Sequence, residues 1–185
     1  SIRESQVNSF YSSQLSLAKG QDLDIIGQDM HVPRLQATFA SSNQREQNFA
    51  FYVESGTFGD INGAADITIP ANTEIYSDER QNELGVRIRF TTTAAAVLSA
   101  ADAIGYVSVR AERAGQNYNV GVGVLINHSF ASYSLFTAGG LKVANFFPVL
   151  NGRSQEQDTP YRFRLTKYYD KLVSRNDTKV LINTL

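Results

Sequence analysis

The spacing of hydrophobic residues changes twice along this chain, and each change predicts a change of secondary structure. Residues 1–17 place apolar side chains at helical intervals, and Gly20 is positioned to end that helix in a left-handed conformation. From Phe49 onward, apolar residues recur at every second position, as they do in β-strands. After residue 152 the helical spacing returns. The sequence therefore predicts an α+β fold with an N-terminal helix, a central antiparallel or mixed β-rich region and a C-terminal helix.

The N-terminal segment predicts one amphipathic helix and a shorter second one. "LDIIGQDM" has the composition of a short helix, which we expect to break at Gly27, and Pro33 makes a helix through "HVPR" unfavourable. The apolar stripe of the first helix consists of Val7, Tyr11, Leu15 and Ala18, with Phe10 and Leu17 beside it.

The central region predicts a series of strands separated by turns. Pro70 should close one strand, because proline cannot donate a hydrogen bond to a neighbouring strand. Val86, Ile88 and Phe90 should share one face of another strand. The alanine-rich stretch "AAAVLSAADA" is interpreted as loop and strand edge, and "AGQN" as a turn. The predicted strands are "NFAFYVES", "ADITIP", "PANTEIYS", "LGVRIRFTTT", "IGYVSVRAERAG" and "YNVGVGVLI".

The C-terminal segment predicts a helix with two different stripes. Thr159 is the expected N-cap and Pro160 the first helical residue. "KVLINTL" predicts the start of a further strand, so we expect the natural polypeptide to continue. On this basis the chain divides into residues 1–40, 41–152 and 153–185. The apolar stripe is Tyr161, Leu165, Tyr168 and Leu172, and the basic stripe is Arg164, Lys167, Lys171 and Arg175.

Composition excludes several classes of function. The 185 residues carry a net charge of −1 and have a pI near 6.1, which gives no general attraction to nucleic acid or to an anionic membrane. No window is apolar enough for membrane insertion. The absence of cysteine rules out disulfides, thiolate catalysis and zinc–thiolate sites.

Catalytic and metal-binding patterns are weak. His128 and Ser129 are adjacent, and neighbours on a strand point to opposite faces, so they should not form a nucleophile–base pair. His31 has no histidine partner at metal-ligand spacing. Asp22 and Asp24 lack the remaining positions of a calcium loop. We therefore expect no enzyme activity, no cofactor, no metal and no small-molecule substrate.

Two further patterns have structural interpretations. Gly121 and Gly123 alternate with valines, which favours a strand with one bare face over a phosphate-binding loop. The acidic residues Asp78, Glu79 and Glu83 surround an arginine and are typical of a solvated loop. The basic stripe of the last helix is expected to be a solvated face or a contact with an acidic protein.

Several segments, in order along the chain, resemble the baseplate J-like proteins of contractile-tailed phages and related injection systems. "ITIPANTEIYS" is similar to the family's "IPAGT" strand and turn, with Asn72 in place of the usual glycine. "GYVSVRAERAGQNYNVGVGVL" and "LKVANFFPVLNGRSQEQDTPYRFRL" resemble two further segments of the family. The resemblance extends roughly from Lys19 to Leu165, and Pro160 is a second departure from the usual pattern. The residues that carry the last match are Gly152, Glu156, Asp158, Arg162 and Arg164.

The resemblance implies a structural function. It implies a wedge subunit of the inner baseplate ring, made in the host cytoplasm and incorporated into the virion tail. Its implied partners are copies of itself, other wedge subunits, and the sheath-side and hub-side tail proteins. Aromatic residues and arginine are enriched at protein interfaces, so the two terminal helices are the expected contact elements. The predicted interface residues are Val7, Phe10, Tyr11, Tyr161, Arg164, Lys167, Tyr168 and Lys171.

Two alternatives remain open at this stage. A β-rich middle with nine tyrosines also suits a carbohydrate- or receptor-binding domain of a tail fibre or adhesin. A glycan hydrolase would need two carboxylates at catalytic separation, and no candidate pair emerges from the sequence.

Overall fold

The computed structural model describes residues 12–78, 86–130 and 140–182, with side chains up to residue 175. The chain divides into two compact units. One, here called the helical unit, combines Ser1–Gln36 with Gln155–Leu185; the other, the β unit, is Ala37–Ser154. The α+β class is confirmed, and each pair of strands that the structure describes is antiparallel.

Helices α1 (12–17), α2 (Gly20–Asp29) and α4 (Asp158–Ile182) form the helical unit, and the short α3 (Phe58–Ile61) lies in the β unit. The strands are β1 (Phe39–Ser42), β2 (Phe49–Tyr52), β3 (Ile67–Ile69), β4 (Glu74–Ser77), β5 (Arg89–Thr92), β6 (Ala96–Leu98), β7 (Ile104–Tyr106), β8 (Val109–Ala114), β9 (Leu125–His128) and β10 (Lys142–Asn145).

Three sheets build the β unit. Their strand orders are β1-β8-β5-β4-β9, β10-β2-β7 and β3-β6. The core is almost entirely apolar and contains large aromatic rings that are not exposed at all. Phe49 and Phe90, for example, lie with their ring centroids 5.6 Å apart. Burial of such rings is the main source of stability for a sheet structure of this size.

The segment "ITIPANTE" connects the two-stranded sheet to the five-stranded one through a turn that is stabilised by side-chain hydrogen bonds. The Pro70 carbonyl accepts hydrogen bonds from the hydroxyls of Thr73 and Thr92, both at 2.8 Å. Asn72 adopts a left-handed φ of 64°, a conformation that asparagine tolerates better than most residues. Asparagine therefore suits this position of the turn. Pro70 ends β3, as the sequence predicts.

Asn145 joins β10 to the turn that precedes β9. Its buried side chain accepts from the Leu125 N–H at 3.0 Å and donates to the Gly121 and Phe147 carbonyls. The strand predicted across "YNVGVGVLI" is present only from Leu125, where β9 begins: Val120 forms an isolated bridge with Val149, and the chain turns at 122–123, where Gly123 has a φ of 69°. The Asn145 side chain satisfies backbone groups there that a strand would have paired with a neighbour.

Two smaller expectations in the β region also need correction, and a third is confirmed. The strand predicted across "IGYVSVRAERAG" is two strands, β7 and β8, separated at Val107 and Ser108. β5 begins only at Arg89, so Val86 does not share its buried face and is 64% exposed. "AAAVLSAADA" contains β6, in agreement with the expected strand edge.

Helix α2 does not break at Gly27, contrary to expectation. A side chain at this position would collide with the Tyr161 hydroxyl and come within 2.9 Å of the Val32 carbonyl oxygen. Glycine is therefore required here for close packing inside a continuous helix. The cost of glycine in a helix, about 1 kcal/mol relative to alanine, is offset by the tyrosine that it admits.

The last helix begins earlier and ends later than predicted. α4 starts at Asp158, so Thr159 and Pro160 lie in its first turn instead of forming its N-cap and first position. Proline is tolerated there because first-turn N–H groups have no partner within the helix. The structure is helical as far as Ile182, so the strand predicted in "KVLINTL" is wrong for the residues up to that point. The last three residues lie outside the described ranges.

Candidate interaction surfaces

Arg34 lies at the centre of the helical unit and joins residues distant in sequence. Its side chain is 7% exposed and forms ion pairs with Asp24 at 2.6 Å and Asp158 at 2.8 Å. A third bond, of 2.7 Å, goes to the Glu156 carbonyl. The planar guanidinium presents several donors in a fixed arrangement, so one arginine can hold the loop after α2, α2 itself and the start of α4 together.

Tyr161 is fully buried between two arginines. The Arg34 and Arg164 guanidinium carbons lie 4.7 and 5.1 Å from its ring centroid. Its hydroxyl donates to the Val32 carbonyl at 2.8 Å. The ring also belongs to the small apolar core of this unit, which contains Leu15, Ala18, Leu23 and Leu165.

The opening residues of α4 complete this arrangement. Arg164 pairs with Glu156 at 2.6 Å, and Glu156 also accepts the Leu35 N–H. Arg162 donates to the carbonyls of Leu15 and Ala18, at the end of α1. The acidic and basic residues of "QEQDTPYRFR" therefore fasten the two sequence segments of the helical unit to each other. We call Arg34, Glu156, Asp158, Arg162 and Arg164 the arginine clasp.

The electrostatics of the clasp favour the charged forms of Arg34, Glu156, Asp158 and Arg164. The hydrogen bond from Arg164 holds the pKa of Glu156 below its usual value. The Gly20 N–H and then Arg34 lower the pKa of Asp158. Burial opposes the charge of Arg34, but its bonds to Asp24 and Asp158 outweigh burial, so its pKa is raised. Both carboxylates are consequently ionised at neutral pH.

The outer face of α4 combines an aromatic ring with positive charge. Phe163 is 61% exposed, and the Lys167 amine lies 4.7 Å from its ring centroid. Lys171 and Arg175 follow at intervals of four residues and are exposed. Side chains spaced by four form one ridge along a helix. We call Phe163, Lys167, Lys171 and Arg175 the basic ridge.

The predicted interface residues thus have different environments. Tyr161 lies in the core of the helical unit and Arg164 is a half-buried partner of Glu156, so the geometry gives both an internal role. Lys167, Tyr168 and Lys171 are exposed. Tyr168 borders a groove of about 300 Å³ that Asp29, Met30, His31, Tyr169 and Leu172 also line. Val7, Phe10 and Tyr11 lie outside the described residues.

The β unit has an apolar surface that the sequence reading missed. Phe147 is 56% exposed. Asn145 Nδ2 donates hydrogen bonds to the carbonyls of both Phe147 and Gly121, so the loop after β10 lies beside the turn before β9. Phe146 packs against Tyr52 with ring centroids 5.8 Å apart. The available signal was the pair of phenylalanines placed directly before Pro148, where a strand must end. The exposed members are Val122, Phe146, Phe147 and Leu150.

The candidate catalytic and metal residues do not converge. His128 Nε2 is 2.9 Å from the Leu141 carbonyl, while Ser129 Oγ accepts the Glu74 N–H. Within the described ranges, the side chains of His, Asp and Glu form no group able to hold a metal ion. Among the described helices, none has the length and apolar composition needed to cross a bilayer.

One part of the chain matches a known family model. Residues 56–141 match the family model described as Baseplate J-like protein barrel domain, which lies within the β unit. No curated protein matches the chain. The family match confirms the resemblance drawn from the sequence and supports a structural, baseplate-related role. It covers the "ITIPANTEIYS" segment but not the clasp residues of α4.

Proposed function

Because this chain carries a baseplate J-like barrel domain at residues 56–141, we propose that it is a wedge subunit of the inner baseplate ring of a contractile tail. In this role it assembles with copies of itself, with other wedge subunits and with hub-side and sheath-side proteins. The family match is the observation that carries the proposal. The construction of the β unit is compatible with a scaffold, because its buried side chains serve packing.

The proposal assigns different tasks to the segments of the chain. Residues 41–152 are the scaffold, and residues 1–40 and 153–185 carry contacts to neighbouring subunits. The exposed Lys167, Tyr168 and Lys171 are the contact residues on α4, together with Val7, Phe10 and Tyr11 in the first helix. Tyr161 and Arg164 contribute by fixing the orientation of α4. An interface needs such a rigid support, because ordering a side chain on binding costs about 0.5–1.5 kcal/mol.

In a contractile tail, we propose that the ring of these subunits rearranges on host contact and relays that change to the sheath. Such a relay requires subunit interfaces with two discrete packings. Ion pairs and half-exposed aromatic contacts can exchange partners between two packings at lower cost than a fully buried apolar interface.

Mass spectrometry of fractionated particles tests the proposal. Contractile particles from the source are purified, and baseplates are separated from sheaths and capsids. We expect peptides of this chain in the baseplate fraction at several copies per particle, with cross-links from Lys167 or Lys171 to neighbouring subunits. A lysate that contains this chain but no contractile particles, fractionated identically, is the control for adventitious copurification.

Recovery only in soluble protein or at fibre tips would refute the wedge assignment. In that case the fibre or adhesin alternative is tested on a glycan array, where a receptor-binding domain gives selective signals and a wedge subunit gives none.

A further inference from the structure

Two exposed helix faces of the helical unit carry opposite charge. Helix α2 contains three aspartates and no lysine or arginine. One of them, Asp24, pairs with Arg34, but Asp22 and Asp29 are exposed. Within the described part of the chain, neither of these two carboxylates forms an ion pair. Ile25, between them, is 50% exposed, and we call Asp22, Ile25 and Asp29 the acidic face.

The acidic face is complementary to the basic ridge in composition. Each surface has one exposed apolar side chain, Ile25 or Phe163, on the same helix face as charges of a single sign. Asp170 lies on the neighbouring ridge of α4, spaced from Lys167 by three residues, and is not part of the basic ridge. The basic ridge keeps three positive charges, and the acidic face two negative ones.

The two surfaces also agree in length. Asp22 and Asp29 are separated by seven residues, which corresponds to about 10 Å along a helix. Lys167 and Arg175 are separated by eight residues, or about 12 Å. A lysine side chain is flexible enough to absorb the remaining difference. Two helices that pack through such ridges can therefore bring Asp22 and Asp29 opposite Lys167 and Arg175 at once, while Phe163 extends the basic ridge by about one turn beyond them.

We propose that copies of this chain join through these unlike faces, with the acidic face of one copy bound to the basic ridge of the next. A contact between two different surfaces is heterologous, and repetition of such a contact builds a ring or an open filament instead of a closed pair. The inference rests on the proposed function in one respect, since a ring of wedge subunits requires a repeated contact. It adds which surfaces form that contact.

Sedimentation velocity of the full 185-residue chain over a concentration series tests this inference. We expect the unaltered chain to self-associate more weakly as salt is raised, because exposed charges are screened. The ridge variant Lys167→Glu with Lys171→Glu should remain monomeric. The face variant Asp22→Lys with Asp29→Lys should also remain monomeric.

Mixing the two variants provides the decisive measurement. The reversed ridge of one variant then faces the reversed acidic face of the other, so association should return in the equimolar mixture and in neither variant alone. The matched control is Arg113→Glu with Arg153→Glu, which makes the same change in net charge on exposed residues of the β unit. This control should associate like the unaltered chain.

Several results would overturn the inference: an unaltered chain that stays monomeric up to its solubility limit, a face variant that associates normally, or a mixture that stays monomeric. Circular dichroism checks that each variant folds. Phe163→Ser, at an exposed position, removes the apolar part of the ridge without reversing a charge and should also weaken association. A monomeric chain found in baseplates would refute only this inference, whereas a self-associating chain absent from baseplates would refute only the proposed function.

Discussion

The helical unit and the β unit solve the same problem of stability with different interactions. The β unit buries a large apolar core in which aromatic rings pack against one another. The helical unit has a small apolar cluster, and its remaining connections are ion pairs and hydrogen bonds centred on Arg34 and Tyr161. Apolar burial is insensitive to direction, whereas the clasp depends on the geometry of individual donors and acceptors. The two units should therefore respond differently to mutation, salt and acid.

The largest effect is expected from Phe90→Ala in the β unit. Phe90 is fully buried and packs against Phe49, and truncation of a buried phenylalanine costs about 3–5 kcal/mol because it leaves a cavity. Urea unfolding, followed by hydrogen exchange of peptides from each unit, measures the loss. Val97→Ala, at a position 66% exposed, is the control and should change the free energy of unfolding little. Equal losses in both variants would contradict an apolar core as the source of stability.

Arg34→Leu should have the next largest effect, and it should act on the helical unit. The substitution leaves Asp24 and Asp158 without their partner, although both remain over a third exposed, which reduces the penalty to about 2–3 kcal/mol. The control is Lys142→Leu, which breaks the exposed ion pair with Glu54 in the β unit and should change the free energy of unfolding little. Hydrogen exchange of α2 peptides should rise only for Arg34→Leu. An increase that is the same for both substitutions would mean that the clasp has no special role.

Gly27→Ala is expected to destabilise the helical unit by about 1–2 kcal/mol, despite the higher helix propensity of alanine. The new methyl group would overlap the Tyr161 hydroxyl and displace it from the Val32 carbonyl. Gly121→Ala is the control, because nothing lies within 4 Å of a side chain placed there. Thermal unfolding compares the two, and a more stable Gly27→Ala chain would show that helix propensity outweighs packing at this position.

Acidification is expected to have the smallest of these effects, because Glu156 and Asp158 stay ionised until the pH is well below neutral. It should destabilise the helical unit before the β unit. The folded-state pKa values of Glu156 and Asp158 are lowered, so their contribution is fully present above their unfolded pKa values of about 4. It is lost as the pH falls through the lowered values in the folded state. Hydrogen exchange between pH 6 and pH 3, corrected for intrinsic rates, should show α2 opening before β5. Glu156→Gln should flatten this dependence, and its persistence unchanged would assign the acid sensitivity to other groups.

Features that depend on neighbouring residues were predictable from the sequence, whereas features that depend on distant residues were not. Strand patterns such as Ile67 and Ile69 are local, and Pro70 ends a strand through its own chemistry. Gly27 has the local pattern of a helix break, but its packing against Tyr161 and Val32 requires a glycine inside the helix. Tyr161 follows Val32 by 129 residues, so the local sequence does not indicate this contact. Likewise, the turn before β9 depends on Asn145, which follows Leu125 by 20 residues.

The predicted contact residues differ in environment for the same reason. Lys167, Tyr168 and Lys171 are exposed as a helical stripe requires, while Tyr161 on the same helix is enclosed by arginines that only the tertiary fold brings to it. An aromatic residue on an amphipathic helix has the same pattern whether it faces a partner or the core of its own unit. The family match supports a function for residues 56–141. It does not include the clasp residues, so their roles are inferred from their contacts alone.

The arginine clasp also has a consequence for the order of events during synthesis. A ribosome makes α1, α2 and Arg34 first, but Asp158 and Tyr161 follow only after the entire β unit has been translated. Until then, Leu23 and the other apolar residues of α2 have no partner from α4. The β unit contains all of its own strands and can fold while the chain is still attached. The helical unit therefore forms after the β unit, and its completion requires synthesis of the chain as far as α4.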